Sequence, residues 1–204
     1  MNKKLKFLTR MAVLSAIIII LGFTPIGYIR FIPGLEITLI TIPVAIGAAI
    51  FGPIAGLFLG IVFGITSFIQ AYSNPIFGVP MLSYNVFLAA AVCILPRALT
   101  GFLTGLIGNW VSKLNKFKSL GYGATGFICS LLNTFLFLAP IYLVFKFIIT
   151  ESLATPLIQL ASSAGVPLGG LITTIGITNG VPEAVVTAII CAAICNILRK
   201  TIKD

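Results

Sequence analysis

The stretch SYNVFLAAAVCILPRALTGFLTGLIGNWV, residues 83–111, decides the class of fold. It is long enough to cross a lipid bilayer as one helix, which needs about 20 apolar residues. Arg97 is the single charged residue in this stretch. Since an arginine at mid-membrane costs about 2.5–3.5 kcal/mol on insertion scales, one that is retained there is expected to have a role.

The rest of the chain has the same character. Apolar residues make up 59% of its 204 residues, charged residues make up 8%, and the mean hydropathy is +1.17. A soluble domain carries about 25% charged residues, so most of this surface is expected to face lipid. The length accommodates about six spanning helices in one all-α membrane domain, residues 1–204, without a large catalytic domain outside the bilayer.

Prolines and glycines divide the chain into six predicted helices, approximately residues 5–23, 39–51, 53–70, 83–111, 122–148 and 180–199. Residues 25–38 and 71–82 are predicted loops. The apolar but broken connector 150–179 is predicted to be an interfacial or partly re-entrant element. Pro96 is expected to kink the fourth helix because it cannot donate to the Val92 carbonyl. Pro182 and Glu183 fit the first turn of the last helix.

The basic residues orient these helices. With both termini in the cytoplasm, ten of the thirteen basic residues lie on the cytoplasmic side, at the start of the first helix, in the link between the fourth and fifth, and after the sixth. Basic residues that flank spans prefer the cytoplasm, so six spans with cytoplasmic termini are predicted. The same placement accounts for the net charge of +9 without nucleic acid as a partner.

Small residues recur at helical spacing on several of the predicted helices. Gly56, Gly60 and Gly64 are expected to let another helix of the same bundle approach closely. Ala12 and Ala16 on the first helix face either the bundle or a partner protein. The four cysteines lie in apolar runs without metal-binding spacing and are interpreted as packing residues.

Two ionisable residues within the apolar stretches are candidate ligand contacts. Arg97 either clamps a ligand carboxylate or bonds to backbone carbonyls freed by Pro96. Glu183 is either a first-turn acid or an acceptor for a ligand hydroxyl or amide.

Three asparagines form a second group of candidates. Asn85, Asn133 and Asn179 are each a helix cap, an interhelical hydrogen bond or a ligand contact, since an amide both donates and accepts. Together with the two ionisable residues they indicate a small polar pocket among the fourth, fifth and sixth helices. The 25–38 loop, with Arg30 and Glu36, is expected to roof it.

Several catalytic motifs are absent from the sequence. It has no histidine, no acidic pair at metal-ligand spacing, no GxSxG and no phosphate-binding loop. Catalysis and a resident cofactor or metal are therefore not expected, and an ATP-driven pump would need a partner. A proton-coupled carrier would bury a carboxylate at mid-membrane, and the predicted helix ends leave none there.

Four segments, taken in order and spacing, resemble the substrate-binding S components of energy-coupling factor (ECF) vitamin transporters over nearly the whole chain. They are the basic N-terminus leading to AVLSA at 12–16, IPVAIG at 42–47 with FGPIAG at 51–56, LPR at 95–97, and NGVPE at 179–183.

The resemblance implies a bacterial cell-membrane protein that binds a vitamin from outside and is not itself an enzyme. It implies a transmembrane coupling protein and two cytoplasmic ATPases as partners, which use ATP and Mg. In that family an AxxxA stripe on helix one contacts the coupling protein, which corresponds to Ala12 and Ala16. The family's substrate site lies between helices four to six and the first loop, a position compatible with Arg97, Asn133 and Glu183, and also with Asn179.

Among subfamilies, TPIG at 24–27, Ile42-Pro43 and the 179–183 segment look most like the pantothenate group. Pantothenate is an anion with hydroxyls and an amide, which suits Arg97 and the asparagines. Riboflavin, folate, hydroxymethylpyrimidine and pyridoxine are alternative substrates. An autonomous secondary carrier or channel and a scaffold subunit are alternative functions.

Overall fold

The structure, a computed structural model, describes residues 3–32, 35–112, 118–148 and 151–203. A single 3-10 turn, Pro25–Gly27, follows the first helix. The other elements, in chain order, are α1 Lys3–Phe23, β1 Tyr28–Ile32, β2 Leu35–Thr38, α2 Thr41–Phe51, α3 Pro53–Ala71, α4 Gly78–Tyr84, α5 Val86–Ser112, α6 Lys118–Phe147, α7 Glu151–Ser163 and α8 Leu168–Lys203. The predicted helical class is confirmed for the bundle, and the predicted loop 25–38 contains an antiparallel hairpin, β1 with β2.

Five helices in the described part of the chain are long and apolar enough to cross a membrane: α1, α3, α5, α6 and α8. The predicted second helix is present as α2, but it has only 11 residues. At 1.5 Å per residue it is roughly 16 Å long, about half the thickness of the hydrocarbon core. The hairpin that precedes α2 therefore begins at membrane depth rather than at the surface.

Contacts between helix ends define one end of the bundle. Arg10 near the start of α1 lies over the ring of Phe51 at the end of α2, 5.7 Å from its centroid. Gly52, the one residue between α2 and α3, lies beside Asn109 near the end of α5. We call this the basic end, because α1 and α6 start there, α5 and α8 stop there, and these helix ends contain eight of the basic residues that the structure describes. The opposite end, with β1 and β2, is the hairpin end.

The closest helix packing joins α3 to α5. A Cβ added to Gly56 would lie 2.1 Å from the carbonyl oxygen of Gly101, and one added to Gly101 would lie 2.0 Å from that of Gly56. One added to Gly60 would lie 2.3 Å from the carbonyl oxygen of Arg97. Only glycine permits such backbone contact. The prediction that this stripe packs inside the bundle is confirmed.

Helix α1 packs on α2 and α3 along one face and leaves its other face exposed. Met11 and Ile18 are buried against α2 and α3, whereas Ala12 and Ala16 are exposed. The alanine pair therefore lies on the face of α1 that is turned away from the bundle, and the alternative that it faces its own bundle is wrong. Cys129, Cys191 and Cys195 are buried in an apolar cluster with residues of α2, as expected of packing residues, and Cys93 is buried separately.

The last helix differs most from its prediction. It begins at Leu168, so Pro182 and Glu183 lie in its interior and not in its first turn. The glycines that suggested a connector are tolerated within this helix. In lipid the backbone N–H and C=O groups have no water to bond to, so they form helical hydrogen bonds even where the residue is glycine. The rest of the predicted connector contains α7.

The predicted fourth helix is also divided. Residues 78–84 form α4, and α5 starts only at Val86. Asn85 between them is extended, with φ −161° and ψ 118°. The predicted link with Lys113 and Lys116 lies outside the described residues.

Candidate functional site

A cavity of about 270 Å³ lies within the bundle, between α3, α5, α6 and α8. Polar side chains reach it from each of these helices: Ser67 and Gln70 from α3, Arg97 from α5, Asn133 from α6, and Asn179 and Glu183 from α8. Thr38, the last residue of β2, completes the wall toward the hairpin end. The cavity thus contains four of the five predicted ligand contacts.

The depth of the cavity follows from helix lengths. Arg97 precedes Asn109 at the basic end by twelve positions in one helix, which corresponds to roughly 18 Å. Thr41 starts α2 and is roughly 16 Å from Gly52. Measured from the basic end, Arg97 and Thr41 therefore lie at about half the thickness of a hydrocarbon core, which is about 30 Å.

Arg97 makes the predicted bond to a backbone carbonyl near Pro96 and also lines the cavity. Its side chain is 5% exposed, lines the cavity and stacks on Phe137, with Cζ 3.4 Å from the ring centroid. Phe63 lies on another side at 5.5 Å. Nη1 donates to the carbonyl oxygen of Val92 at 3.4 Å, the acceptor that Pro96 cannot serve. The guanidinium carries five N–H donors in a planar fork, a geometry that matches a carboxylate.

The two cavity asparagines come from neighbouring helices, Asn133 from α6 and Asn179 from α8. The Oδ1 atom of Asn133 is buried and accepts no hydrogen bond from the residues that the structure describes. Asn179 lies one helical turn before Glu183 on α8 and is half-buried. A buried amide oxygen without a protein donor costs about 1–3 kcal/mol, which a ligand hydroxyl or amide donor would recover.

Glu183 is held by protein donors. Its Oε1 accepts from the hydroxyls of Thr41 at 3.0 Å and Ser130 at 3.1 Å. Its Oε2 accepts from the backbone N–H of Thr38 at 3.4 Å. The side chain is 5% exposed in the interior of a membrane-length helix. The expectation that no carboxylate is buried at mid-membrane was therefore wrong, because it rested on the misplaced start of the last helix.

Asn85 is the predicted contact that the structure does not bring to the cavity. Its side chain is exposed, and Oδ1 accepts from the backbone N–H groups of Phe87 at 2.8 Å and Leu88 at 3.2 Å. This is the geometry of a helix N-cap. The capping alternative is confirmed, and the interpretation of Asn85 as a ligand contact is corrected.

The predicted roof of the pocket is present as backbone. Arg30 and Glu36 are paired in the hairpin register, but their side chains lie outside what the structure describes.

Sequence reasoning missed most of the cavity lining, and two of the missed residues carried a usable signal. Phe137 follows Asn133 by four positions, so both lie on one face of α6, and this spacing was a usable signal. Gln70 is the only long polar side chain in α3, and its Nε2 donates to the carbonyl oxygen of Gly22 near the end of α1. An amide in a lipid-spanning helix is itself a signal, because it needs partners inside the protein.

The site has a definite chemical character. It offers one cation, aromatic rings and several amides at mid-membrane, and no cluster of metal ligands occurs among the described residues. Such a cavity suits a small anion that also carries hydroxyl or amide groups. Fold and site together define a multi-pass membrane protein that binds a small polar molecule.

Comparison with known proteins identifies the family. Residues 6–195 match the family described as ECF transporter, substrate-specific component, and the chain belongs to this family. It is thus a transporter component of the cell membrane rather than a catalytic enzyme. A curated relative is the "Pantothenate transporter PanT" of Leuconostoc mesenteroides subsp. mesenteroides, 33% identical over 141 residues. The match covers 65% of this chain and 66% of the relative, just under two thirds of the relative's length.

Proposed function

We propose that this chain captures pantothenate from outside the cell for an ECF-type importer. The observation that carries the proposal is Arg97, buried at mid-membrane in a cavity and stacked on Phe137. A carboxylate in that cavity would receive a charge-assisted pair of N–H donors in a dry environment. The name of the relative from Leuconostoc supports the same substrate.

The remaining polar groups of pantothenate match the opposite wall. Asn133 supplies a buried acceptor for a hydroxyl or amide proton, and Asn179 supplies both a donor and an acceptor. A cavity of about 270 Å³ is at the small end of the range for ligand pockets, about 300–1,000 Å³. This size favours a short acyclic acid over riboflavin or folate, which carry extended ring systems, and it does not separate pantothenate from pyridoxine or hydroxymethylpyrimidine. Of these three vitamins, pantothenate is favoured because it carries a carboxylate that Arg97 can bind.

The membrane topology we propose has six segments with both termini in the cytoplasm. The five long helices and the short α2 together supply the six segments. The ten basic residues at or near the basic end support a cytoplasmic location for that end. The hairpin end, and with it the entrance to the cavity, then faces outward.

We infer that transport needs partner subunits. Ala12 and Ala16 are exposed on α1, and small exposed residues four apart let a partner helix come close in lipid. We assign this face to the transmembrane coupling protein, with two cytoplasmic ATPases supplying energy from ATP and Mg. The chain itself contains no phosphate-binding loop, so ATP hydrolysis is assigned to those partners.

Equilibrium binding tests the substrate. Purified chain is titrated with labelled pantothenate, and Arg97→Ala is expected to weaken binding by about 10- to 150-fold, the loss of a hydrogen bond to a charged group. Arg97→Lys recovers only part, since lysine keeps the charge without the planar fork. Arg10→Ala is the matched control, because Arg10 also lies over a phenylalanine ring but at the basic end. Absence of micromolar binding by the intact chain would refute pantothenate, and a yellow purified protein would indicate riboflavin.

One observation favours a second function, an ion-coupled carrier that works alone. Glu183 is a buried carboxylate at mid-membrane, the type of group that proton-coupled carriers use. Liposomes that contain only this chain distinguish the two functions. The subunit proposal expects tight binding without uptake, whereas the carrier expects pantothenate accumulation driven by a proton gradient.

A further inference from the structure

We propose that Glu183 is a positioning residue that fastens the hairpin over the cavity, rather than a contact for the ligand itself. The inference rests on the proposed function in one respect, since the hairpin is taken to cover a vitamin site. Three hydrogen bonds to one buried carboxylate carry it.

The three donors come from separate elements. Thr38 ends β2, Thr41 begins α2, and Ser130 lies in the middle of α6, while Glu183 itself belongs to α8. The carboxylate therefore joins the junction between hairpin and α2 to two membrane-length helices. The Thr41 hydroxyl is also 3.0 Å from the Thr38 carbonyl oxygen, so its single proton is shared between two acceptors at that junction.

The backbone of Thr38 explains why a carboxylate is needed at this place. The N–H of Leu39 points toward β1, where it donates to the Gly27 carbonyl oxygen at 2.9 Å. Successive N–H groups in a strand point to opposite edges. The N–H of Thr38 therefore points away from β1, the one strand beside β2 in this two-stranded sheet. At membrane depth an N–H without an acceptor costs several kcal/mol, and Oε2 of Glu183 is its acceptor.

The hairpin is tied down close to the cavity. Thr38 and Glu183 both line it, and β2 packs against α8. Release of the carboxylate would free the Thr38 end of the hairpin from α8 and open the cavity wall on that side. Retention of the ligand is therefore expected to depend on the hydrogen bonds between Glu183 and other protein residues, in which the ligand takes no part.

Two of the donors allow this role to be separated from ligand contact. Thr41 and Ser130 are 1% and 0% exposed, and neither lines the cavity. Thr41→Val and Ser130→Ala remove a hydroxyl donor while leaving every cavity residue in place. If Glu183 acts by holding the hairpin, these variants reproduce the effect of Glu183→Ala on the hairpin.

Trypsin reports the state of the hairpin directly. Arg30, in β1, is the single lysine or arginine between residues 11 and 96, so cleavage after it is diagnostic. In ligand-free full-length chain, Thr41→Val and Ser130→Ala are each expected to raise the rate of cleavage at Arg30 by about tenfold, the factor for one lost hydrogen bond to a charged group. Glu183→Ala removes all three bonds and is expected to raise that rate by at least as much. Thr41→Ser keeps the hydroxyl and is expected to restore the wild-type rate.

The same variants are then compared for the dissociation rate of labelled pantothenate. Thr41→Val is expected to accelerate dissociation by about tenfold and to leave the association rate within about twofold, because the entrance is loosened and the ligand contacts are kept. Thr173→Val is the matched control: its exposed hydroxyl on α8 donates only within its own helix, to Gly169. Monodisperse gel filtration identifies variants that fail to fold, and Thr41→Val with Thr41→Ser provides the comparison if Glu183→Ala is among them.

The outcomes are distinct. Wild-type cleavage at Arg30 in both hydroxyl variants, together with weak binding by Glu183→Ala, would overturn the positioning role and make Glu183 a ligand contact. Accelerated cleavage in the hydroxyl variants of a chain that binds no pantothenate would support the positioning role and refute the proposed substrate.

Discussion

Replacement of Gly60 by alanine is predicted to damage ligand binding from outside the cavity. An alanine Cβ there would lie 2.3 Å from the carbonyl oxygen of Arg97 and 3.0 Å from Cα of Ala98. A carbon in contact with a carbonyl oxygen lies at about 3.3 Å or more, so α5 must move away from α3 by about 1 Å. The displaced segment is the one that carries the guanidinium.

Gly60→Ala is expected to change both the free energy of unfolding and the affinity for the ligand. Overpacking a tight helix contact costs about 1–3 kcal/mol of unfolding free energy. Separately, a displacement of about 1 Å takes the guanidinium out of hydrogen-bonding distance of a ligand carboxylate. That loss is about 1.5–3 kcal/mol, or a Kd for pantothenate raised by about 10- to 150-fold.

Gly123→Ala provides the control. A Cβ on Gly123 would meet the Ala188 carbonyl oxygen at 3.4 Å and the Ala192 Cβ at 3.5 Å, which are ordinary contacts. Since alanine also favours helix over glycine, this variant is expected to be as stable as the wild type or more so. Thermal unfolding in detergent and equilibrium binding are measured for both. Wild-type Kd and melting temperature in Gly60→Ala would refute the claim that backbone contact between α3 and α5 sets the position of Arg97.

Three further variants test other parts of the molecule. Phe137→Leu keeps an apolar side chain but removes the ring under Arg97, and the Kd should rise by about 2- to 30-fold in equilibrium titration; an unchanged Kd would deny the ring a role. Asn85→Ala should lower the unfolding free energy by about 0.5–2 kcal/mol in chemical denaturation through loss of a helix cap, with the Kd unchanged; a weakened Kd would return Asn85 to the site. Ala12→Leu with Ala16→Leu should reduce recovery of the ATPase complex in a pull-down, and vitamin binding that persists excludes misfolding as the reason; full recovery would place the docking face elsewhere.

The class of fold was predictable because charge is so scarce in this sequence. Seventeen charged residues cannot cover a soluble domain, and the glycine spacing on α3 already indicated a close helix contact. Arg97 was identifiable for the same reason, since one cation within a long apolar stretch has few explanations.

The wrong start of the last helix and the wrong interpretation of Glu183 have the same cause. Rules for helix ends come from proteins in water, where glycine and proline interrupt helices at little cost. In lipid the unbonded backbone is more costly than a poor helix former, so the helix continues from Leu168 through Pro182. The interpretation of Glu183 as a first-turn acid followed from that misplaced end, and its partners Thr41 and Ser130 are distant in sequence and carry no local signal.

Asn85 shows a different limit of the sequence. An amide has the same donors and acceptor whether it caps a helix or binds a ligand. Its sequence position was right for both roles, and only the contacts to Phe87 and Leu88 distinguish them.

The backbone contact between α3 and α5 also closes the seam between these two helices to water. From Arg97 toward the basic end, Gly56 meets Gly101 and Gly105 meets Pro53, with no room for even one added methyl group. A water molecule, with a radius of about 1.4 Å, cannot pass between such helices, so no file of waters connects the cavity to the basic end along this seam. Water, and any ion or proton that moves with it, therefore has no route along this seam.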